Sequence, residues 1–284
     1  MSRIIYVNGR YQPYAEAKVH VEDRGYQFAD GVYEAIAAVK GQLVDEERHL
    51  DRLDRSLREL RMAQPMERAP LMLVMREVIR RNGVRNGYVY LQVTRGVARR
   101  DHVFPLHARP GLVIFARSKK PTPQAVLDRG IAVVSVPDIR WKRRDIKSLS
   151  LLPNVLAKQA AKEQGAFEAW LVDDEGFVTE GSATNAWIIT GDGELVTRDA
   201  SNAILNGVTR RAVLELAAEQ GLRLVERAFT LEEAKAAREA FITSTTNHIL
   251  PVTRLDGGAI GDGKPGETTK RLRALYLDAI GLGV

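Results

Sequence analysis

The sequence predicts an α+β protein built from two α/β domains. Three observations carry that expectation. Strand-like and helix-like stretches are mixed without strict alternation. The pattern pauses at a polar, proline-bearing stretch, SKKPTPQ with Pro121 and Pro123, and then restarts. The 284 residues have ordinary globular composition, 45% hydrophobic and 27% charged, which is ample for two cores. The domains are placed at residues 1–120 and 121–284, both α/β.

Residues 3–15 form a hairpin, IIYV and RYQPY joined at Asn8-Gly9. VYEAIAAVKGQLV forms a second, turning at Lys40-Gly41. In EERHLDRLDRSLRELRM, Leu50, Leu53, Leu57 and Leu60 recur at helical spacing, and LMLVMREVIRR is a second helix stopped at Asn82-Gly83. YVYLQVTR and GLVIFAR are strands. Beyond the linker, IAVVSVPD is a strand and a helix runs from about Pro153 to Gln164, ended by Gly165. FEAWLVDD and FVTEG flank a turn at Glu175-Gly176; NAWIIT and ELVTR flank another at Gly191-Asp192-Gly193. The helix VTRRAVLELAAEQG, the strands LRLVERA and AFITSTT, and an amphipathic helix, TTKRLRALYLDAI, complete the chain. No internal repeat is visible.

Composition excludes several function classes. There is no cysteine, hence no disulfide, thiolate metal site or thiol nucleophile. The five histidines (His20, His49, His102, His107 and His248) make no HxH or HExxH pattern, so no metal is expected. No apolar run approaches the ~20 residues of a membrane span. The N-terminus enters a strand pattern without an export signal, so the expected location is the cytoplasm. The net charge of +6 is read as solubility charge on helix faces, and Lys142-Arg143-Arg144 lacks the interleaved aromatics of a nucleic-acid arm. GDGKPGETTK has Glu267 where a P-loop needs its lysine, and GxGxxG after a strand and GxSxG are both absent.

What remains is one lysine and one glutamate. Lys147 lies between a strand and a helix, flanked by Ile146 and Leu149; Glu180 lies at the end of FVTEG some thirty residues later. A pyridoxal-phosphate enzyme needs such a pair, an amine to form a Schiff base with the aldehyde and an acid to keep a proton on the pyridine nitrogen. Asn206-Gly207-Val208-Thr209 opens a helix and Thr243-Ser244-Thr245-Thr246 follows an apolar strand, so both suit a phosphate. Arg52 offers a guanidinium. Arg100 and His102, two apart on an extended segment, point the same way and with Tyr33 could clamp a carboxylate. Taken singly, a loop lysine, a strand-end glutamate, a solvated helix arginine and an exposed basic loop explain these residues as well.

Together the fragments resemble the D-amino acid aminotransferases of the branched-chain aminotransferase-like, fold-type IV pyridoxal-phosphate family. The markers are EDRGYQFADGVYE, RHLDRL, VTRGVARRDHVFP, DIKSLSLLPNVLAKQ, VTEGSATN, ILNGVTR and ITSTT, in order along nearly the whole chain. The resemblance implies two α/β domains with pyridoxal 5'-phosphate between them, the cofactor lysine in the C-terminal one. Lys147 would hold the cofactor and Glu180 its pyridine nitrogen. Arg52, Val208, Thr209, Ser244 and Thr245 would take the phosphate, with Leu205 against the ring and Glu168 as a further acid nearby. Tyr33, Arg100 and His102 would trap the substrate carboxylate, the last two from the neighbouring subunit of a homodimer with composite sites. The implied reaction is ping-pong transfer of an amino group between a D-amino acid of the D-alanine type and 2-oxoglutarate or pyruvate. An (R)-selective amine transaminase and an aminodeoxychorismate lyase are the alternatives on the same fold.

Overall fold

The structure, a computed structural model, describes residues 3–283. It divides into two compact units: the first runs to Lys120 and also takes in Ile146–Ser150, and the second comprises Pro121–Asp145 and the chain from Leu151 onward. The segment bearing Lys147 therefore belongs to the first unit, which corrects its expected place in the C-terminal domain.

In the first unit the chain runs through β1 (Ile4–Val7), β2 (Arg10–Pro13), the short α1 (Arg24–Phe28), β3 (Gly31–Val39), β4 (Gln42–Leu43), α2 (Glu46–Glu59), α3 (Arg68–Asn82), β5 (Gly87–Thr94) and β6 (Gly111–Ser118). The strands form an antiparallel sheet in the order β2-β1-β6-β5-β3-β4. Asn8 and Gly9 both have positive φ, +46° and +95°, as a two-residue hairpin of matching twist requires. Leu50, Leu53 and Leu57 of α2 share one core with Leu71, Met75 and Val78 of α3 and with Val32, Ile36, Val89, Leu91 and Ile114 of the sheet. The leucine stripe thus acts as the spacing predicts.

Ile146 joins that core. Beyond it the backbone pairs with the start of β3: Tyr33 N donates to Lys147 O at 3.0 Å and Leu149 N to Gly31 O at 3.0 Å. A side chain at Gly31 would meet Val93 O at 2.5 Å and Leu149 Cδ1 at 2.8 Å, so only glycine admits this approach.

The second unit contains α4 (Gln124–Arg129), β7 (Ile131–Pro137), α5 (Leu152–Glu163), β8 (Glu168–Val172), β9 (Phe177–Gly181), β10 (Asn185–Ile189), β11 (Leu195–Thr197), α6 (Val208–Glu219), β12 (Leu224–Glu226), β13 (Phe229–Thr230), α7 (Leu231–Ala236), β14 (Glu239–Ser244), β15 (His248–Leu255), β16 (Gly258–Ala259) and α8 (Glu267–Ala279). Its sheet runs β12-β11-β10-β14-β15-β7-β8-β9-β13, with β16 on β15. The parallel pairs β7–β8 and β11–β12 are each joined through a helix, as parallel neighbours must be. On β10, Trp187 and Ile189 pack with Val213 of α6 and Leu272 of α8, while Ala186 and Ile188 turn to the opposite cluster with Phe229 and Leu250. Burial on both faces is why residues 186–189, AWII, are all apolar.

The sequence does not announce β15, because Pro251 interrupts HILPVTRL. Pro251 lies just outside the stretch that pairs with β7, which begins at Val252, and there a strand tolerates a missing N–H. No helix of the described residues is long and apolar enough to cross a membrane.

Candidate active site

The predicted residues fall into two sets, one on each unit. On the first unit, Lys147 is half-buried and its Nζ stands 4.2 Å from the centroid of the Tyr33 ring. Tyr33 stacks on Tyr90 at 5.6 Å, and Tyr90 on Phe115 at 4.9 Å, so an aromatic row lies beside the amine. On strand β3, alternation puts Glu34 on the opposite face from Tyr33, toward α2. There its carboxylate is fully buried. Arg52 Nε and Nη2 fork onto it at 2.7 and 2.8 Å, and His49 Nδ1 lies 2.7 Å from Oε2. Burial opposes ionisation of Glu34, but Arg52 and His49 outweigh it and lower its pKa to about 2. Burial pushes His49 the other way, below the ordinary histidine value. Arg52 is therefore not a solvated helix arginine but half of a buried ion pair.

Arg100 and His102 lie on the loop between β5 and β6, both exposed. The loop is bent rather than extended, with Val103 N bonded to Asp101 Oδ1 at 3.2 Å. Its two side chains nevertheless come together, because both meet one ring. Arg100 Cζ lies 4.8 Å and the His102 ring 5.4 Å from the centre of Phe28.

On the second unit, Glu180 is 4% exposed at the end of β9. Arg140 Nη1 donates to Oε1, Asn185 Nδ2 to Oε2 at 3.1 Å, and Leu205 N to both oxygens at 3.2 Å. Arg140 is itself forked on Asp138, Nε to Oδ1 at 2.9 Å and Nη2 to Oδ2 at 2.7 Å. Burial pushes the Glu180 carboxyl above the ordinary glutamate value, and Arg140 with the Leu205 N–H draws it part of the way back. Asp138 is held low, since Arg140 and Thr179 outweigh its burial.

The phosphate candidates other than Arg52 gather near this acid. Asn185 binds Leu205 O at 2.9 Å and pairs across the sheet with Thr243, next to Ser244 and Thr245. Gly207 caps α6 without a side chain, ahead of buried Val208 and Thr209, and a Cβ there would meet Asn185 Oδ1 at 2.2 Å. The α6 N-terminus carries no acidic residue in its first turn. The Thr184 hydroxyl in the β9–β10 connection is buried and has no hydrogen-bond partner among the described residues. Glu168 is also buried, accepting from Ser182 Oγ and, at 2.9 Å, from Ala169 N. Lys158, whose side chain is 46% exposed, lies 3.4 Å from it.

Residues 31–255 match the model of the family described as amino-transferase class IV. The chain belongs to the class IV aminotransferases. The D-alanine aminotransferase of Bacillus licheniformis is 40% identical to it over 273 residues, 96% of this chain and 95% of that protein. The D-alanine aminotransferase of Listeria monocytogenes serotype 4b (strain F2365) is 41% identical over 281 residues, 97% and 96% of the two chains. Among solved structures, the branched-chain amino acid aminotransferase of Escherichia coli aligns with a TM-score of 0.91 at 25% identity, covering 100% of this chain and 97% of that one. The T.th. branched-chain amino acid aminotransferase with pyridoxamine 5'-phosphate aligns at 0.90 and 28% identity, covering 99% and 95%.

Several residues of this class IV aminotransferase that the sequence did not single out hold those it did: Glu34 and His49 for Arg52, Arg140 and Asp138 for Glu180, and Asn185 between Glu180 and Leu205. The only local signal was a pair of charges, Asp138 and Arg140, closing an apolar strand.

Two titrations follow from these contacts. Glu34 has a folded pKa below its ordinary 4.5. The stability it adds is fully present above about pH 4.5 and is lost as pH falls toward about 2. That contribution is about 3 kcal/mol. Urea unfolding from pH 6 down to the acid limit is expected to show it, and Glu34→Gln to flatten that part of the profile; a profile unchanged in the variant contradicts the assignment. Arg140→Gln removes the charge that draws Glu180 down, so the midpoint of its side-chain carboxyl, followed by carbon-13 NMR, is expected to rise. An unmoved midpoint contradicts the pairing.

Proposed function

We propose that this aminotransferase depends on pyridoxal 5'-phosphate and moves the amino group of a D-amino acid, D-alanine first among them, to 2-oxoglutarate or pyruvate in a ping-pong cycle. One observation carries the reading: a buried carboxylate, Glu180, steadied by Arg140, Asn185 and the Leu205 N–H beside a glycine-capped helix start. A buried acid with such support suits a protonated ring nitrogen. The gap left by Gly207 and the buried Thr184 hydroxyl suit a polar ligand in the same place.

Lys147 would hold the cofactor's aldehyde carbon and Glu180 would face its ring nitrogen. Its phosphate would be held by Val208 and Thr209 at the start of α6, by Ser244 and Thr245, and by Arg52. Leu205 would pack against the ring. When bound, the cofactor supplies an electron sink that lets a proton leave the substrate Cα. Lys147 Nζ would take that proton as general base and return one as general acid. Glu180 keeps the ring nitrogen protonated throughout.

Arg100, His102 and the Tyr33 hydroxyl hold the substrate carboxylate and so decide which face of Cα meets Lys147. Arg100 and His102 act in the neighbouring subunit of a homodimer. In support, they are exposed on their own chain beside exposed Val97, Val103, Phe104 and Leu106, an apolar surface suited to a second copy. The two relatives named above are D-alanine aminotransferases, which favours D-alanine over a carboxylate-free amine. The cytoplasm is the compartment proposed, since a chain without cysteine needs no oxidising one.

A coupled assay of D- and L-amino acids with 2-oxoglutarate tests this reading. D-Alanine is expected to be turned over at least about a hundredfold faster than L-alanine, and Lys147→Ala to fall to background. Preference for L-branched substrates, or a fully active Lys147→Ala, overturns it.

A further inference from the structure

Arg24 lies in EDRGYQFADG, on the five-residue helix α1, where nothing in the helix itself calls for a buried arginine. Its side chain is only 4% exposed. Nε donates to Asp30 Oδ2 at 2.8 Å. Nη1 donates to Asp101 O and, at 3.4 Å, to Val103 O, while Nη2 approaches His102 O at 3.5 Å. One guanidinium thus reaches three consecutive carbonyls of the loop that bears Arg100 and His102.

The anchor is itself anchored. Asp30 Oδ2 also accepts from Arg95 Nε at 2.8 Å, and Arg95 donates to Leu60 O at 2.9 Å and Arg61 O at 3.2 Å. Burial opposes ionisation of Asp30, but the two guanidinium groups outweigh it and hold its carboxyl below the ordinary value. Main-chain bonds from Arg24 N to Gly96 O at 2.9 Å and from Ala98 N to Glu22 O at 3.3 Å tie α1 to the start of the loop. The Phe28 ring, one helical turn on, lies 4.8 Å from Arg24 Cζ and 4.8 Å from Arg100 Cζ, and it meets the His102 ring. The element that fixes the loop's backbone therefore also fixes the two side chains it presents.

We infer that Arg24 is a positioning residue for carboxylate recognition: by holding the carbonyls of Asp101, His102 and Val103 it presents Arg100 and His102 as one preformed pair. This rests on the reading of Arg100 and His102 given under Proposed function. A loop of this length would otherwise sample many conformations, and a trap displaced by about 1 Å loses much of its effect. Lysine cannot replace Arg24, because a point charge lacks the planar fork that reaches several acceptors at once.

The test uses holoenzyme and two probes that attack the same cofactor carbon, aminooxyacetate with a carboxylate and methoxyamine without one. Each reaction is followed by loss of the cofactor's visible absorption. The unaltered enzyme is expected to prefer aminooxyacetate. In Arg24→Lys, which keeps a cation against Asp30, that preference should fall by about tenfold or more, with methoxyamine reacting within about twofold of the original rate. The KM for D-alanine should rise more than kcat falls. In the cofactor-free protein, amide hydrogen exchange over residues 97–104 should quicken while the strands keep their protection. A folded Arg24→Lys enzyme with the full preference and unchanged exchange overturns the inference and leaves the carboxylate-pair reading intact. An unaltered enzyme that reacts equally with both probes overturns that reading and the inference with it. Should Arg24→Lys fail to fold, Phe28→Leu keeps Asp30 paired and must lower the same preference; an unchanged preference there also overturns the inference.

Discussion

A carboxylate taken out of water is costly to keep charged, by several kcal/mol for an unpaired ion, and this protein does it at two places for different ends. Glu34 receives the full fork of Arg52 together with His49, and its pKa is lowered to about 2. Glu180 receives one edge of an arginine whose other edge is taken by Asp138, and burial still pushes its carboxyl up. The first arrangement locks a guanidinium in place. The second leaves an acid whose affinity for a proton is raised by its burial. Burial is the larger cause, and Asp138, which shares Arg140, adds to it by pushing the Glu180 carboxyl further up.

Strand ends do the placing. Glu180 closes β9, Asn185 opens β10 after a short connection and bonds back to Glu180, and Thr243 opposite Asn185 leads into Ser244 and Thr245, so these residues gather about the β9–β10 connection. The start of α6 is held there because Gly207 leaves room for the Asn185 amide. On the first unit β3 presents Tyr33 on one face and Glu34 on the other, and the same stretch of backbone takes the Lys147 segment as a partner. Most of these groups thus lie on or directly beside regular structure, and the exposed β5–β6 loop needs its own anchors for the same precision.

Part of the fold was legible locally: the leucine stripe of α2, the Asn8-Gly9 turn and the Gly83 stop behave as side-chain periodicity and backbone preference dictate. Lys147 and Glu180 were singled out by the chemistry they could share and by the family resemblance, since each alone has an ordinary reading. What stayed hidden depends on pairings distant in sequence. Arg140 is 40 residues from Glu180, and Arg24 is 77 residues from the Asp101 carbonyl it binds. No periodicity records such contacts. The attachment of Ile146–Ser150 to the first unit follows from Ile146 entering a core assembled from residues far upstream. Strand β15 was masked by Pro251, whose usual meaning is overridden at the margin of a paired stretch.

The central claim is that the acid at 180 holds the proton on the ring of a cofactor carried by the amine at 147. Nitrogen-15 NMR of holoenzyme loaded with ring-labelled pyridoxal phosphate tests it most directly. The expected result is a protonated ring nitrogen at neutral pH that becomes unprotonated in Glu180→Gln. A ring nitrogen whose shift is the same in both proteins would contradict it.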